Sequence, residues 1–564
     1  MRNILYKLLI LCGLLTILLS CTDLKEVVLD ESLTSTLTDK EAADGIIAPV
    51  YALLPNMYRH TNYFALQEIS TDEAILPYRG GTDWGDNGIY LELHRHTFSS
   101  TSANVRNTWD DIVQSLSRAV LAMNTLPDIA DGNTTVYIAE ARGMRAYYNM
   151  MLLDLYGLSF KKDDPGNTSE VLRGVDALNY IQSEFEAVLP NLQNKSQVGP
   201  GRLTQLGLKG LLARLHLNAA VYRDRYAVDI AFQDEDLDKV IDYCDEIIAS
   251  GDYQLSNDYF DIFGNNNHDN PELIFAIDQR PDLNGHNRMA YFSLSGDQYP
   301  LAQFPSANGT DGPGITSDFY QTWVEAYAPA DPTIDPRFHL QNLEIYSTGR
   351  DTCLTAEDFK INRGILRGQQ YGLIREGGVF LQCEDGKYQV GALTNLSRNR
   401  PDKFVFFTEN IDFTAEGSDY STGYRVEKYE FSSVSSSGRN NGEADIVILR
   451  LADVYLMRAE ALLRKNNDVA GALAAVNTVR AARTSRTPPP TMTEMNLDLL
   501  YRERGFEFYW EHLRRSDMIR FGEYEGTWTE KTNSDPMKRI FPIPQTAIDG
   551  ASNLDGYLVQ NPSY

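Results

Sequence analysis

The chain has 564 residues, 43% of them hydrophobic and 11% aromatic, with a formal net charge of −27. That hydrophobic share can bury a large core and excludes a disordered chain, and the length admits two to four ordinary domains or one large helical body. The acid excess repels phosphate backbones and excludes nucleic acid as a partner; it suits a solvated exterior and an uncharged ligand.

The first element is a signal. Arg2 and Lys7 precede an apolar run over 8–19. The run is too short to cross a bilayer, which takes about 20 apolar residues, and has the length of a signal-peptide core. It ends Leu18-Leu19-Ser20-Cys21, which resembles a lipobox, so Cys21 is the expected lipidation site and the mature chain is held to a membrane by lipid. Thr38-Asp39-Lys40-Glu41 reads as a capping box opening a helix over 38–54. Apolar residues spaced i, i+3, i+4 predict helices over 103–126, 135–156, 204–222 and 236–249, with another marked by Leu178, Ile181, Phe185 and Val188. The helices come in consecutive pairs, with Ala141, Ala146, Gly207, Gly210 and Ala213 in the packing rows. They resemble tetratricopeptide-type units.

From 257 to 314 the chain is rich in Asn, Asp, Gly and Tyr, and 272–277 reads as a strand. The stretch 346–439 is irregular, with strands expected at 403–408 and 424–429. Helices return over 446–464, 469–482 and 495–518. The expected fold is mainly α: a tetratricopeptide-like helix-pair scaffold with irregular loops and short strands. It divides into a signal peptide (1–20), an N-terminal helical region (21–230), a loop-rich middle (231–330) and a C-terminal region (331–564). No CxxC occurs, which excludes a zinc ribbon. Cys244 reads as a small buried hydrophobe, and whether Cys353 pairs with Cys383 is open.

Several segments resemble the SusD/RagB family, in order. They are Glu140-Ala141-Arg142 with Arg145-Ala146-Tyr147 and Leu155-Tyr156-Gly157, then 206–215, 449–461 and 475–480. Arg502-Glu503-Arg504 with Glu507-Phe508, Glu511 and 514–518 follow, then Phe541-Pro542-Ile543-Pro544 and Asn561-Pro562. The resemblance covers nearly the whole mature chain. It implies a non-enzymatic, lipid-anchored protein on the outer-membrane surface. Such a protein binds an oligo- or polysaccharide and passes it to a SusC-like TonB-dependent barrel, over which it sits as a lid. The alternatives are a glycoside hydrolase or lyase on the same scaffold, or a structural lid for a transporter of non-glycan nutrients. No HExxH, GxSxG, GxxxxGK or GxGxxG fingerprint is present.

The most informative loop is 71–88, where five Gly or Pro residues prevent a helix. Trp84 there is a plausible sugar platform, with Asp72, Arg79 and Asn87 bonding hydroxyls through fixed donors and acceptors. The resemblance places these four in a region that contributes to the glycan site of some members, and Tyr299 in or near a second ligand-lining region. Tyr291 and Trp323 lie near that region too, but Trp323 falls at helical spacing with Phe319 and reads as core. His94 and His96 lack a third ligand at a sensible spacing and read as structural. Glu503, Glu507 and Glu511 form an i, i+4 ladder. Glycoside hydrolysis needs two carboxyls flanking a bond, so the ladder reads as an ion-pair network, with Arg514 and Arg515 suited to pair with Glu511. No cofactor is expected; the Asn- and Asp-rich stretch 265–270 offers oxygens suited to calcium.

Overall fold

The computed structural model describes residues 38–78, 88–283, 285–310, 312–394, 403–411, 413 and 422–564. The signal peptide and Cys21 therefore lie outside the described residues. The helices of eight or more residues are α1 Asp39–Tyr51, α2 Ala103–Thr125, α3 Thr134–Tyr156, α4 Gly174–Val188, α5 Gln205–Leu217, α6 Asp234–Ser250, α7 Ser317–Tyr327, α8 Leu451–Asn466, α9 Val469–Ala482, α10 Leu497–Phe508 and α11 Arg514–Phe521.

Local chemistry explains their ends. The capping box forms at α1: the Glu41 backbone N–H donates to Thr38 Oγ1 (3.3 Å), and Thr38 N–H donates to Glu41 Oε2 (2.8 Å). Helix α3 stops at Gly157, whose φ of 69° is the left-handed conformation that a glycine adopts without penalty. Neighbours in sequence pack in pairs, α2 on α3, α3 on α4, α5 on α6 and α8 on α9, and α6 also packs on α8, so the C-terminal helices close onto the N-terminal array. The small-residue row has a visible purpose. A Cβ on Gly210 of α5 would overlap the Leu449 side chain, so only glycine allows that approach.

Three long helices expected from periodicity are broken. The segment 446–464 was expected to be one helix, but Ile446–Arg450 is a strand, paired antiparallel with Leu273–Ile277, and α8 starts only at Leu451. Its Ile-Val-Ile-Leu run is buried on both faces, and a short continuous apolar run does not distinguish a buried strand from a helix. The segment 495–518 splits into α10 and α11. Between them Trp510 and His512 take φ of 64° and 63°, a region costly for side-chain-bearing residues. Two carboxylates clamp the bend: Glu73 Oε1 accepts from Trp510 N–H (2.8 Å) and Glu68 Oε1 from Leu513 N–H (3.0 Å). The helix expected over 204–222 divides into α5 and the short Ala219–Arg223. The strands expected at 403–408 and 424–429 contract to Phe406–Phe407 and Arg425–Glu427.

The ladder of glutamates is the centre of a buried ion network. Glu507 meets Arg337, Arg450 and Arg483 at 2.9, 2.7 and 2.6 Å. Glu503 meets Arg337 and Arg480, and Glu511 meets Lys428 and Arg450. Glu272, next to the Leu273–Ile277 strand, joins Arg450 and Arg483. Arg514 and Arg515 do not pair with Glu511: the bend turns them to Asp72 and Asp154 instead. Cys353 and Cys383 are disulfide-bonded, and Cys244 is buried.

Candidate functional site

Of the residues singled out for glycan contact, Arg79, Trp84 and Asn87 lie outside the described residues. The base of their loop is well defined. Ala74–Ile75 pairs antiparallel with Gly314–Ile315. Where the chain returns, a Cβ on Gly88 would lie 2.6 Å from the Tyr78 hydroxyl. The two ends of the loop are thus pinched together, and Gly88, with φ of 78°, is the residue that turns the chain into the short helix Ile89–His94.

Asp72 sits at the root of this loop. Its two oxygens accept from Arg514 Nε and Nη2, each at 2.7 Å, and its backbone carbonyl accepts from Thr316 Oγ1. The carboxylate is therefore fixed in direction. Tyr299 lies on a different segment, the folded-back stretch 286–310. Its hydroxyl accepts from Arg375 Nη1, the Arg375 guanidinium lies 4.5 Å above its ring, and Phe380 meets it edge-on at 5.7 Å. Burial raises the Tyr299 pKa above that of an exposed phenol, so the group stays a neutral donor. Among the described residues no hydrogen bond, ion pair or ring contact joins Asp72 to Tyr299.

The stretch 286–310 is closely packed against its neighbours. A Cβ at Gly312 would overlap the Phe292 carbonyl, so the chain there lies directly against Phe292. Gly309 N–H donates to Gln298 O (3.1 Å) and Thr310 N–H to Leu294 O (3.0 Å). Tyr291 is nearly buried and lies between two guanidiniums: Arg288 is 5.7 Å and Arg439 5.2 Å from its ring centre. Sequence reading placed Tyr291 near the ligand region but missed both arginines, which are far apart in sequence and belong to no motif.

Trp323, His94 and His96 are structural. Trp323 is fully buried and stacks on Phe506 at 3.9 Å. His94 faces the carbonyls of Ile69, Ala74 and Thr529, and His96 that of Ser70. In 265–270 the amides bond the chain itself: Asn265 to Phe431 O, and Asn267 to Ile262 O and Asp445 O. His268 Nδ1 lies 2.8 Å from Asp445 and 3.9 Å from Asp278, whose carboxylate is also held by Arg280.

A profile of the SusD family matches residues 271–564, and the chain belongs to that family. It is 24% identical over 533 residues to the starch-binding protein SusD of Bacteroides thetaiotaomicron, spanning 90% of this chain and 86% of that one. It is 24% identical over 482 residues to the SusD-like protein P25 of Formosa agariphila, spanning 78% and 76%. Among solved structures, a laminarin-binding SusD-like protein has the same fold, with a TM-score of 0.64 at 18% identity over 94% of this chain and 100% of that one. So does surface glycan-binding protein A from Bacteroides thetaiotaomicron, solved with laminarihexaose, with a TM-score of 0.62 at 18% identity over 93% and 100%. SusD-family proteins are non-catalytic glycan-binding proteins, associated in general with the outer membrane at the cell surface. No helix among the described residues is long and apolar enough to cross a membrane.

Proposed function

We propose that this chain is a surface lipoprotein, anchored through Cys21, that captures an oligo- or polysaccharide and delivers it to a SusC-like TonB-dependent outer-membrane barrel. The observation that carries the reading is the likeness to a starch-binding protein along 90% of the chain. In this reading the sugar stacks on the Trp84 indole, and Arg79 and Asn87 bond its hydroxyls. Asp72, held in direction by Arg514, offers its remaining lone pairs. The Tyr299 hydroxyl accepts from Arg375, which leaves its own hydrogen to donate to a sugar oxygen.

The hydrolase alternative has no carboxylate pair to rest on in the glutamate ladder. Glu503, Glu507 and Glu511 are buried and ion-paired, and none of them flanks an open cleft.

Affinity electrophoresis of residues 22–564 through gels containing a panel of polysaccharides tests the proposal. Retardation by at least one, lost in Trp84→Ala, is the expected result. Free migration through every gel, with no binding of shorter oligosaccharides by calorimetry, would overturn it. Cys21→Ser should release the protein from the membrane fraction.

A further inference from the structure

Three chain segments bring arginines together beside the loop base, in a protein with 78 acidic and 51 basic residues. Arg59 follows the short helix Leu54–Met57, Arg288 opens the helix Arg288–Tyr291, and Arg439 lies in the Gly- and Ser-rich turn after Phe431. The scaffold that unites them is specific. Asn287 N–H donates to Arg439 O (3.2 Å), and its side-chain amide donates to Gly438 O (3.2 Å). A Cβ at Gly438, where φ is 79°, would come within 3.0 Å of Asn308 O and 3.1 Å of the Tyr291 ring, so glycine is required for the turn to lie this close. Arg439 Nε donates to the Tyr291 hydroxyl at 2.8 Å. His286 links the set to the first segment: its Nδ1 accepts from Arg288 N–H (3.2 Å), so Nε2 carries the proton and donates to Pro55 O. His60, next to Arg59, stacks on Phe292 at 4.6 Å.

No carboxylate forms an ion pair with Arg59, Arg288 or Arg439 among the described residues, and Arg59 Nε is buried without a partner. Asp111, whose carboxylate takes amides from Asn56 and Asn62, lies within electrostatic reach of Arg59. The consequences of crowding like charges are visible. Burial first, then Arg439 and Arg59, lowers the Arg288 pKa. Burial, together with Arg288 and Arg59, holds His286 down at about 4, so the imidazole is neutral at pH 7 and adds no charge. Arg288 and Arg439 thus face one ring, with Arg59 within electrostatic reach of Arg288, and none of the three has a carboxylate partner among the described residues. Guanidinium forks match carboxylate and sulfate oxygens in pairs.

We propose that the ligand of this protein is an acidic glycan, bearing uronate or sulfate groups, whose negative groups are read by Arg59, Arg288 and Arg439. This rests on the glycan-binding reading above and replaces the uncharged ligand that the net charge alone suggested. Because the whole chain is acidic, selectivity comes from these short-range contacts and not from the long-range field.

The test uses residues 22–564 in gels and calorimetry with polygalacturonate and alginate as uronate probes, carrageenan as the sulfate probe, and laminarin and xyloglucan as neutral probes. Wild type is expected to bind an acidic probe best, with affinity that falls as salt rises. Arg439→Gln, at an exposed position, and Arg288→Gln/Arg439→Gln should weaken it by on the order of tenfold per arginine, the scale of a hydrogen bond to a charged group. Lys239→Gln, on the exposed side of α6, should change nothing. Preference for uronate or for sulfate identifies the anion. Binding of neutral glycans only, unaltered in both arginine variants, would overturn the inference and leave the glycan-binding reading standing; binding of no glycan, neutral or acidic, would overturn both.

Discussion

Replacing Glu507 by Gln probes the ion network that joins the strand Leu273–Ile277 to α10. Glu507 is fully buried, with three guanidinium partners within 2.9 Å. Its network contains five cations (Arg337, Lys428, Arg450, Arg480 and Arg483) and five carboxylates (Glu272, Asp335, Glu503, Glu507 and Glu511), so it is electrically neutral. Glutamine keeps the shape and removes one negative charge, which leaves the network with an uncompensated positive charge away from water. Breaking a buried ion pair from one side costs about 3–5 kcal/mol, most of it the desolvation of the orphaned partner. By contrast Arg458→Gln, which breaks a half-exposed pair with Asp245, should cost under about 1 kcal/mol. Urea unfolding followed by tryptophan fluorescence measures both, through a shift in midpoint at constant slope. Glu507→Gln/Arg483→Gln restores neutrality and should recover part of the loss, a coupling expected of neighbours in one network. If the Glu507→Gln midpoint fell within the range of the Arg458→Gln control, the claim that the network's charge balance supports the fold would be refuted.

Other outcomes follow from the same contacts. Burial raises the Glu73 pKa to about 7, above its ordinary 4.5, so its contribution to stability is complete below pH 4.5 and is lost as pH rises through 7. Glu73→Gln should abolish that decline in a pH series of melting temperatures. Glu460 behaves oppositely: burial pushes its pKa up, but Arg520 and Arg464 outweigh it and hold the value at about 2. Its contribution is present above pH 4.5 and lost as pH falls toward 2, and Glu460→Gln should flatten the acid limb. Gly312→Ala forces a methyl into the Phe292 carbonyl, and should lower glycan affinity and melting temperature together. Cys353→Ser/Cys383→Ser opens a loop with a sequence separation of 30, and should cost roughly 3–4 kcal/mol on the chain-entropy estimate, read by denaturant unfolding of the oxidised and double-serine proteins.

Much of the helical scaffold was legible because its signals are local. The box at Thr38 and Glu41, the cap at Gly157 and the periodic faces of α2, α3 and α6 each lie within one turn or one stretch of sequence, and the boundaries of α2, α3 and α6 came out within two residues, while α1 ends at Tyr51, short of the expected 54. The failures have a common cause in distant contacts. Ile446–Arg450 is a strand because Leu273–Ile277, far earlier in the chain, supplies its hydrogen bonds. Helix α10 ends at Phe508 because Glu68 and Glu73, more than 400 residues away, take the N–H groups of the bend. Periodicity reads one segment at a time and registers neither partner.

The same distinction governs the site. Trp84 in a Gly-rich loop attracts notice in the sequence, because an aromatic there has no helix face to fill. Arg59, Arg288 and Arg439 attract none, since a lone arginine is ordinarily a solvated charge or half of an ion pair. They become informative only together, when the turn at Gly438 is laid against Tyr291 and the expected carboxylates are absent from among the described partners. Net charge pointed the other way, toward an uncharged ligand, because it averages over a surface whose acids are scattered. A ligand does not meet the average. It meets Arg288 and Arg439 around one tyrosine, with Arg59 beside Arg288, where Coulomb energy over a few ångströms exceeds the screened contribution of distant acids. For this protein the local arrangement of charge, and not its sum, is therefore the quantity that selects the glycan.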